Sequence, residues 1–172
     1  MSRLILITGG ARSGKSTYAQ NLAKPLKGKI IYIATAEALD EEMKKRVSLH
    51  KKSRPKDWLV IEEPLEVLSA VKKLPKERIV IILDCLTLLI SNLIFKGLSD
   101  NKICANIKAI AEALKRKAEF SIVVTNEVGS GIVPGSALAR RFRDIQGTAN
   151  QIMGKCADEV YLLVSSIPVK IK

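Results

Sequence analysis

The run GGARSGKST contains Gly9-x4-Gly14-Lys15-Ser16, a spacing that can hold a polyphosphate. Glycines permit a tight backbone path that turns several N–H groups inward, and a helix opening beyond them adds its positive end. Lys15 is then placed to reach the terminal phosphates as a point charge, and the Ser16 hydroxyl to ligate Mg²⁺. Such a loop expects an acidic partner at the end of another buried strand, and IVIILD supplies Asp84. The lesser alternative for Asp84 is the N-cap of the helix that follows, CLTLLISNLIF, which does not exclude metal contact.

His50, the only histidine, lies in RVSLHKKSRPKDW. The surrounding LDEEMKKRVSLHKKSRP has helical signals: Asp40 as a candidate N-cap, acidic residues in the first turn, basic ones in the last and Pro55 beyond. Met43, Val47, His50 and Arg54 share one stripe, with Arg46 beside it. Two readings stand at this point. Cations next to His50 suit phosphate binding and disfavour imidazolium, leaving a neutral nucleophile. Alternatively, His50 is a polar boundary residue on a solvated basic face.

The elements that must position these groups can be read from the periodicity. Strands are expected at Leu4–Thr8, Ile30–Ala34, Leu59–Ile61, Ile79–Leu83, Ser121–Thr125 and Val160–Val164. Helices are expected at Lys15–Ala23, Glu41–Lys52, Leu65–Lys73, Asn101–Lys117 and Ser136–Lys155, with a further one after Asp84. Aliphatic runs alternating with amphipathic ones imply an α/β fold, a mostly parallel central sheet flanked by helices. No repeat or linker interrupts residues 1–172, so a single nucleotide-binding domain is expected. In such sheets ligands gather at the carboxyl ends of the strands. GGARSGKS, ATA, EE, DCLT and NEVGSG therefore line the expected site.

A formal charge of +12 is compatible with nucleic acid, a membrane surface or phosphorylated small molecules. A nucleic-acid-binding ATPase would interleave its cations with aromatics for stacking; here aromatics make up 4% and the cations follow helix faces. The apolar stretch Ile79–Phe95 is interrupted by Asp84, Thr87, Ser91 and Asn92, which fits a strand and helix rather than a membrane span. Cys85, Cys104 and Cys156 are odd in number and lack metal-ligand spacing, pointing to a reducing cytoplasm. The apolar start runs into the phosphate loop rather than a cleavage site, and reads as a strand.

TGGARSGKS, YIATA, DEEMKKRVSLHKKSRPKDW, LDCLTLLISNL, TNEVGSGIVP and LARRFRDIQGTANQ follow one another across almost the whole chain. Together they resemble the bifunctional adenosylcobinamide kinase/adenosylcobinamide-phosphate guanylyltransferase family of cobalamin synthesis. H-x-x-x-R-P-x-x-W and NEVG-x-GIVP are far more specific than the phosphate loop. The resemblance implies a P-loop NTPase-like fold and two reactions, with Mg²⁺ as cofactor and ATP and GTP as substrates. A nucleoside triphosphate phosphorylates adenosylcobinamide; GTP then donates GMP to adenosylcobinamide phosphate, releasing pyrophosphate. It further implies that His50 carries GMP as a phosphoramidate. Nucleotide contacts are carried over to Gly9, Gly10, Ala11, Arg12, Ser13, Gly14, Lys15 and Ser16. The same carry-over covers Ala34, Thr35, Ala36, Lys51, Lys52, Ser53, Arg54, Glu62 and Asp84. Family members form trimers, so a homotrimer is implied, with no nucleic-acid partner.

Glu127 follows a strand among glycines and suits acid/base work or a place in the metal's shell, or else loop capping. Arg140, Arg141 and Arg143 suit phosphates or a neighbouring subunit, with surface or interface salt bridges favoured over catalysis. The likeness departs at SSIPVKIK, where the family usually has a glycine shortly before the proline. A P-loop kinase without guanylyl transfer is the alternative reading.

Overall fold

The computed structural model describes residues 2–37, 41, 48, 55–75 and 78–172. Its strands are β1 (Arg3–Gly9), β2 (Lys29–Ala34), β3 (Leu59–Glu62), β4 (Ile79–Asp84), β5 (Phe120–Val124), β6 (Glu159–Val164) and β7 (Ile167–Lys170). The helices are α1 (Lys15–Ala23), α2 (Val67–Lys73), α3 (Leu86–Phe95), α4 (Asp100–Lys117) and α5 (Ala137–Cys156). One seven-stranded sheet runs in the order β3-β2-β4-β5-β1-β6-β7. Every neighbouring pair is parallel except β6–β7.

Strands buried on both faces need apolar residues at every position. β1, β2 and β4 meet that demand, exposing little beyond their ends. Alternation divides their side chains between two cores. Leu4 and Leu6, with Ile31, Ile33, Ile81 and Leu83, pack beneath α2, α3, α4 and α5. Ile5 and Ile7, with Tyr32, Val80 and Ile82, pack against Ala19 and Ala23 of α1.

Local signals set the helix ends. Ser136 caps α5 by accepting the Ala139 N–H at 3.2 Å. α4 has Asp100 in its first turn and Lys115, Arg116 and Lys117 in its last, matching the helix dipole. All six expected strands and the expected helices outside 38–54 are present, with ends displaced by one or two residues. Of the helix expected at Glu41–Lys52, only Glu41 and Ser48 are described, and both are helical.

β7 was not among the expected strands. It turns back from β6 through Ser165 (φ 50) and Ser166 (φ 68), both left-handed. A two-residue hairpin of this hand needs positive φ at both central positions, a demand usually advertised by glycine or asparagine. Serine hides it. Register brings Glu62, Ala34, Asp84, Val124 and Ile7 into one row across the carboxyl edge of β3, β2, β4, β5 and β1.

Candidate active site

The loop between β1 and α1 turns back through Gly9 (φ 149), Arg12 (φ 57) and Gly14 (φ 89). Its two glycines are required by space as well as by conformation. A Cβ on Gly9 would lie 2.5 Å from the Leu163 carbonyl oxygen, and one on Gly14 would lie 2.6 Å from Ser166 Oγ. The hairpin turn therefore presses on the loop, and Ser166 N–H donates to the Ser13 carbonyl at 3.0 Å. Gly10, Ala11 and Arg12 are exposed, Gly14 and Ser16 half-buried, and Ser13 buried.

Lys15 opens α1 and is buried, its ammonium donating to the Gly10 carbonyl at 2.5 Å and to Ser13 Oγ at 3.4 Å. The side chain thus folds over the loop's own concavity. Burial lowers its pKa from the ordinary lysine value, opposed by the nearby Cys85 and Asp84. Burial also pushes the Cys85 thiol up to about 12, which keeps it protonated and unreactive at neutral pH.

Asp84 is half-buried at the end of β4 and accepts a hydrogen bond from the Tyr32 hydroxyl. It does not cap α3: that helix starts at Leu86 with Cys85 as its N-cap. The carboxylate of Asp84 and the hydroxyl of Ser16 are hard oxygen donors at adjacent strand and helix ends, a donor set that fits Mg²⁺ together with phosphate oxygens.

Ala34, Thr35 and Ala36 continue β2 into the same edge. Thr35 is fully buried; its hydroxyl accepts from Cys85 N–H at 2.8 Å and donates to the Cys85 carbonyl at 2.6 Å. That hydroxyl holds β2 to the turn after β4. Asn92 of α3 completes the clamp, donating to the carbonyls of Thr35 and Pro64. Glu62 is exposed at the end of β3, in register with Ala34.

His50, Lys51, Lys52, Ser53 and Arg54 lie outside the described residues. The chain is described again from Pro55, and Trp58 is buried against Tyr32, their ring centroids 6.4 Å apart. The end of the H-x-x-x-R-P-x-x-W segment is thereby packed on the same tyrosine that bonds Asp84.

Beyond β5 the site is built from side chains. The Thr125 hydroxyl donates to Asn150 Oδ1 at 2.8 Å and accepts from Gln146 Nε2 at 2.8 Å. Thr87 Oγ1 stands 3.4 Å from that hydroxyl and accepts the Asn126 N–H at 2.7 Å. Asn150 Nδ2 donates to the Asn126 carbonyl at 3.0 Å and to Glu127 Oε2 at 3.4 Å. Glu127 N–H donates to the Gly9 carbonyl at 3.0 Å, tying this turn to the phosphate loop. Sequence reasoning missed Thr87, Thr125, Gln146 and Asn150. The available signal was the i, i+4 pair Gln146/Asn150, two amides on one face of an otherwise amphipathic helix.

Arg140, Arg141 and Arg143 are engaged within the chain. Arg140 donates to the carbonyls of Pro134 and Gly135, Arg141 pairs with Asp100 at 2.8 Å, and Arg143 pairs with Asp144 at 2.9 Å. Among the described residues, no helix is long and apolar enough to cross a membrane.

The fold is shared with solved structures. An ATPase from the type III secretion system of pathogenic bacteria superposes with a TM-score of 0.57 at 14% identity, covering 94% of this chain and 51% of that one. Curated relatives match along their full length. The bifunctional adenosylcobalamin biosynthesis protein CobU of Escherichia coli (strain K12) is 42% identical, over 98% of this chain and 99% of its own. Its namesake from Salmonella typhimurium (strain LT2) is 41% identical over the same shares. Residues 5–171 match the family described as cobinamide kinase / cobinamide phosphate guanyltransferase. A mostly parallel sheet with its phosphate loop after β1, and likeness from end to end, place the chain in one family: it belongs to the cobinamide kinase / cobinamide phosphate guanyltransferases.

Proposed function

We propose that the protein phosphorylates adenosylcobinamide with a nucleoside triphosphate, ATP or GTP, and then transfers GMP from GTP to the phosphorylated product. The outputs of the second reaction are adenosylcobinamide-GDP and pyrophosphate. The observation that carries this reading is the phosphate loop, with Lys15 folded over its concavity, in a chain matched over nearly its whole length by the bifunctional relatives.

In the first reaction the loop N–H groups from Gly9 to Ser16 bind the phosphates. Lys15, largely buried, meets the charge gathering on the leaving oxygens more strongly than it would in bulk water. Ala34, Thr35, Ala36 and Glu62 border the same edge and would contact the nucleotide. Asp84 and Ser16 would hold Mg²⁺, which when bound neutralises phosphate charge.

In the second reaction a neutral His50 nitrogen bonds to the α-phosphorus of GTP while the bond from that phosphorus to pyrophosphate breaks. Lys51, Lys52, Ser53 and Arg54 would bind the nucleotide beside it. A phosphate oxygen of the acceptor then displaces the histidine nitrogen and takes the GMP. Covalent catalysis of this type divides one difficult transfer into two. Trp58, buried against Tyr32 eight residues after His50, supports the placement of that segment near Asp84.

Incubation with α-labelled GTP and Mg²⁺ tests the nucleophile. The wild-type chain is expected to take up acid-labile, base-stable label and His50→Ala none, with phosphorylation of adenosylcobinamide retained. Equal labelling of His50→Ala would overturn the assignment, and phosphorylation without any labelling would leave a kinase alone.

The same reading carries a homotrimer and a cytoplasmic setting. Val164, Ile167, Val169 and Ile171 are exposed on β6, β7 and the residue beyond, an apolar strip that supports self-association. Three free cysteines support a reducing compartment.

A further inference from the structure

β1 carries a polar side chain on the face of the sheet away from α1. Alternation directs Leu4, Leu6 and Thr8 toward α5, and Ile5 and Ile7 toward α1. Thr8 is only 8% exposed, and its hydroxyl is buried without a hydrogen-bond partner among the described residues. A buried hydroxyl in that state is uncommon and calls for an explanation. Thr8 lines an open cavity of 360 Å³ between β1, β6 and α5. Leu6 and Val160 form its apolar wall, Asn150 and Glu127 its polar one, and Gly154 leaves the space open.

Three features turn this cavity toward phosphoryl transfer. Glu127 N–H donates to the Gly9 carbonyl and the Lys15 ammonium to the next one, Gly10. The carboxylate-bearing residue and the cation that marks the terminal phosphate therefore hang from consecutive carbonyls of the loop. Asp84 lies on the opposite face, bonded to Tyr32 in the core under α1. Phosphoryl transfer needs entering and leaving oxygens in line, on opposite sides of phosphorus. A donor held by Lys15 and Asp84 from the α1 side would meet an acceptor arriving from the α5 side. Finally, Thr125, Gln146 and Asn150 hold the Asn126–Glu127 turn in place, as a reacting group requires.

We propose that this cavity receives the hydroxyl-bearing arm of the phosphoryl acceptor and that Glu127 takes the proton of that hydroxyl; the proposal rests on the kinase reading given above. The ligand class is an alcohol on a short chain. Leu6 and Val160 meet its carbon atoms, and Thr8 and Asn150 meet its polar ones. A cavity of this size admits an arm and leaves the bulk of a large acceptor outside. The acceptor oxygen bonds to the γ-phosphorus while the bond from that phosphorus to the β,γ-bridging oxygen breaks. The electron pair leaves with the nucleoside diphosphate. The hydroxyl proton passes to the Glu127 carboxylate, which returns it to solvent.

The full chain with adenosylcobinamide as acceptor tests this directly. Glu127→Gln is expected to lower kcat for phosphorylation about 100-fold or more, the usual worth of a positioned base. Labelling by α-labelled GTP should stay at the wild-type level, and Glu127→Asp should recover part of the lost rate. Thr8→Val keeps the shape and removes the hydroxyl; the acceptor KM should rise about 2–10-fold, the worth of one hydrogen bond, with kcat held. Near-wild-type phosphorylation by Glu127→Gln, or equal loss of both activities, overturns the role of Glu127. An unchanged KM in Thr8→Val overturns the cavity as the acceptor site. A wild-type chain that phosphorylates no cobinamide sinks the kinase reading itself and this proposal with it, a result seen before any variant is made.

Discussion

The turns after β1 and β5 are neighbours at one edge of the sheet, yet they are built by different means. The turn after β1 is shaped by backbone: left-handed residues, and glycines where a Cβ would collide. The turn after β5 is shaped by side chains, with Thr87, Thr125, Gln146 and Asn150 fixing Asn126 and Glu127. Phosphate is bound well by backbone N–H groups, which are the same whatever the side chain. A single carboxylate aimed at one hydroxyl needs orientation, which fixed side-chain hydrogen bonds provide.

The sharpest separation should come from Lys15→Ala. The phosphate loop then keeps its backbone but loses its cation. We expect phosphorylation to fall by roughly 10²–10³-fold or more, the scale for removing one transition-state donor. Stability should hold or rise, because a buried ammonium is removed. Steady-state kinetics and a thermal melt on the same preparation check both halves.

Gln146→Leu should do the reverse, reducing stability more than loop function. It removes the donor to Thr125 and Asn150 from a fully buried position, at a cost of about 1–3 kcal/mol for the unpaired groups left behind. Denaturant unfolding reads the loss, and nucleotide affinity should change little. If affinity collapses while stability stays, the two turns are not separate devices.

The smallest effect expected is on the contact between the loop and the hairpin. Gly14→Ala places a methyl against Ser166 Oγ in a left-handed backbone, costing about 1–2 kcal/mol from conformation alone. Adding Ser166→Gly removes the obstacle and the second residue's own strain, so the double variant should regain part of the stability. A double-mutant cycle with no coupling would show that the hairpin does not brace the loop.

This contrast also explains what could be read in advance. The phosphate loop was legible because its backbone demands are spelled in glycines, and β1, β2 and β4 because strands buried on both faces must be aliphatic. Asp84 was found from its place at a strand end, but its partner Tyr32 was not, since register alone brings the two together. Thr35 stands at the edge where the nucleotide is expected, with its hydroxyl bonded to Cys85. Whether a polar atom faces a ligand or its own chain depends on distances no spacing encodes. β7 was hidden because serines occupy a turn that glycine would have announced. The assignment of His50 rests on its segment H-x-x-x-R-P-x-x-W, and of that segment the described part from Pro55 is anchored by Trp58.

The placement of β1 between β5 and β6 has a consequence for how the chain is made. β1 has no sheet neighbour until residues near 120 appear, and no second one until residues near 159 follow. The phosphate loop waits longer still for the Ser166 N–H that meets its Ser13 carbonyl. A growing chain can pair β2 with β3 and β4 early, while the loop after β1 stays unbraced. Contacts of such long sequence separation form slowly. The ability to bind nucleotide should therefore arrive only after β5, β6 and the turn at Ser166 have been made.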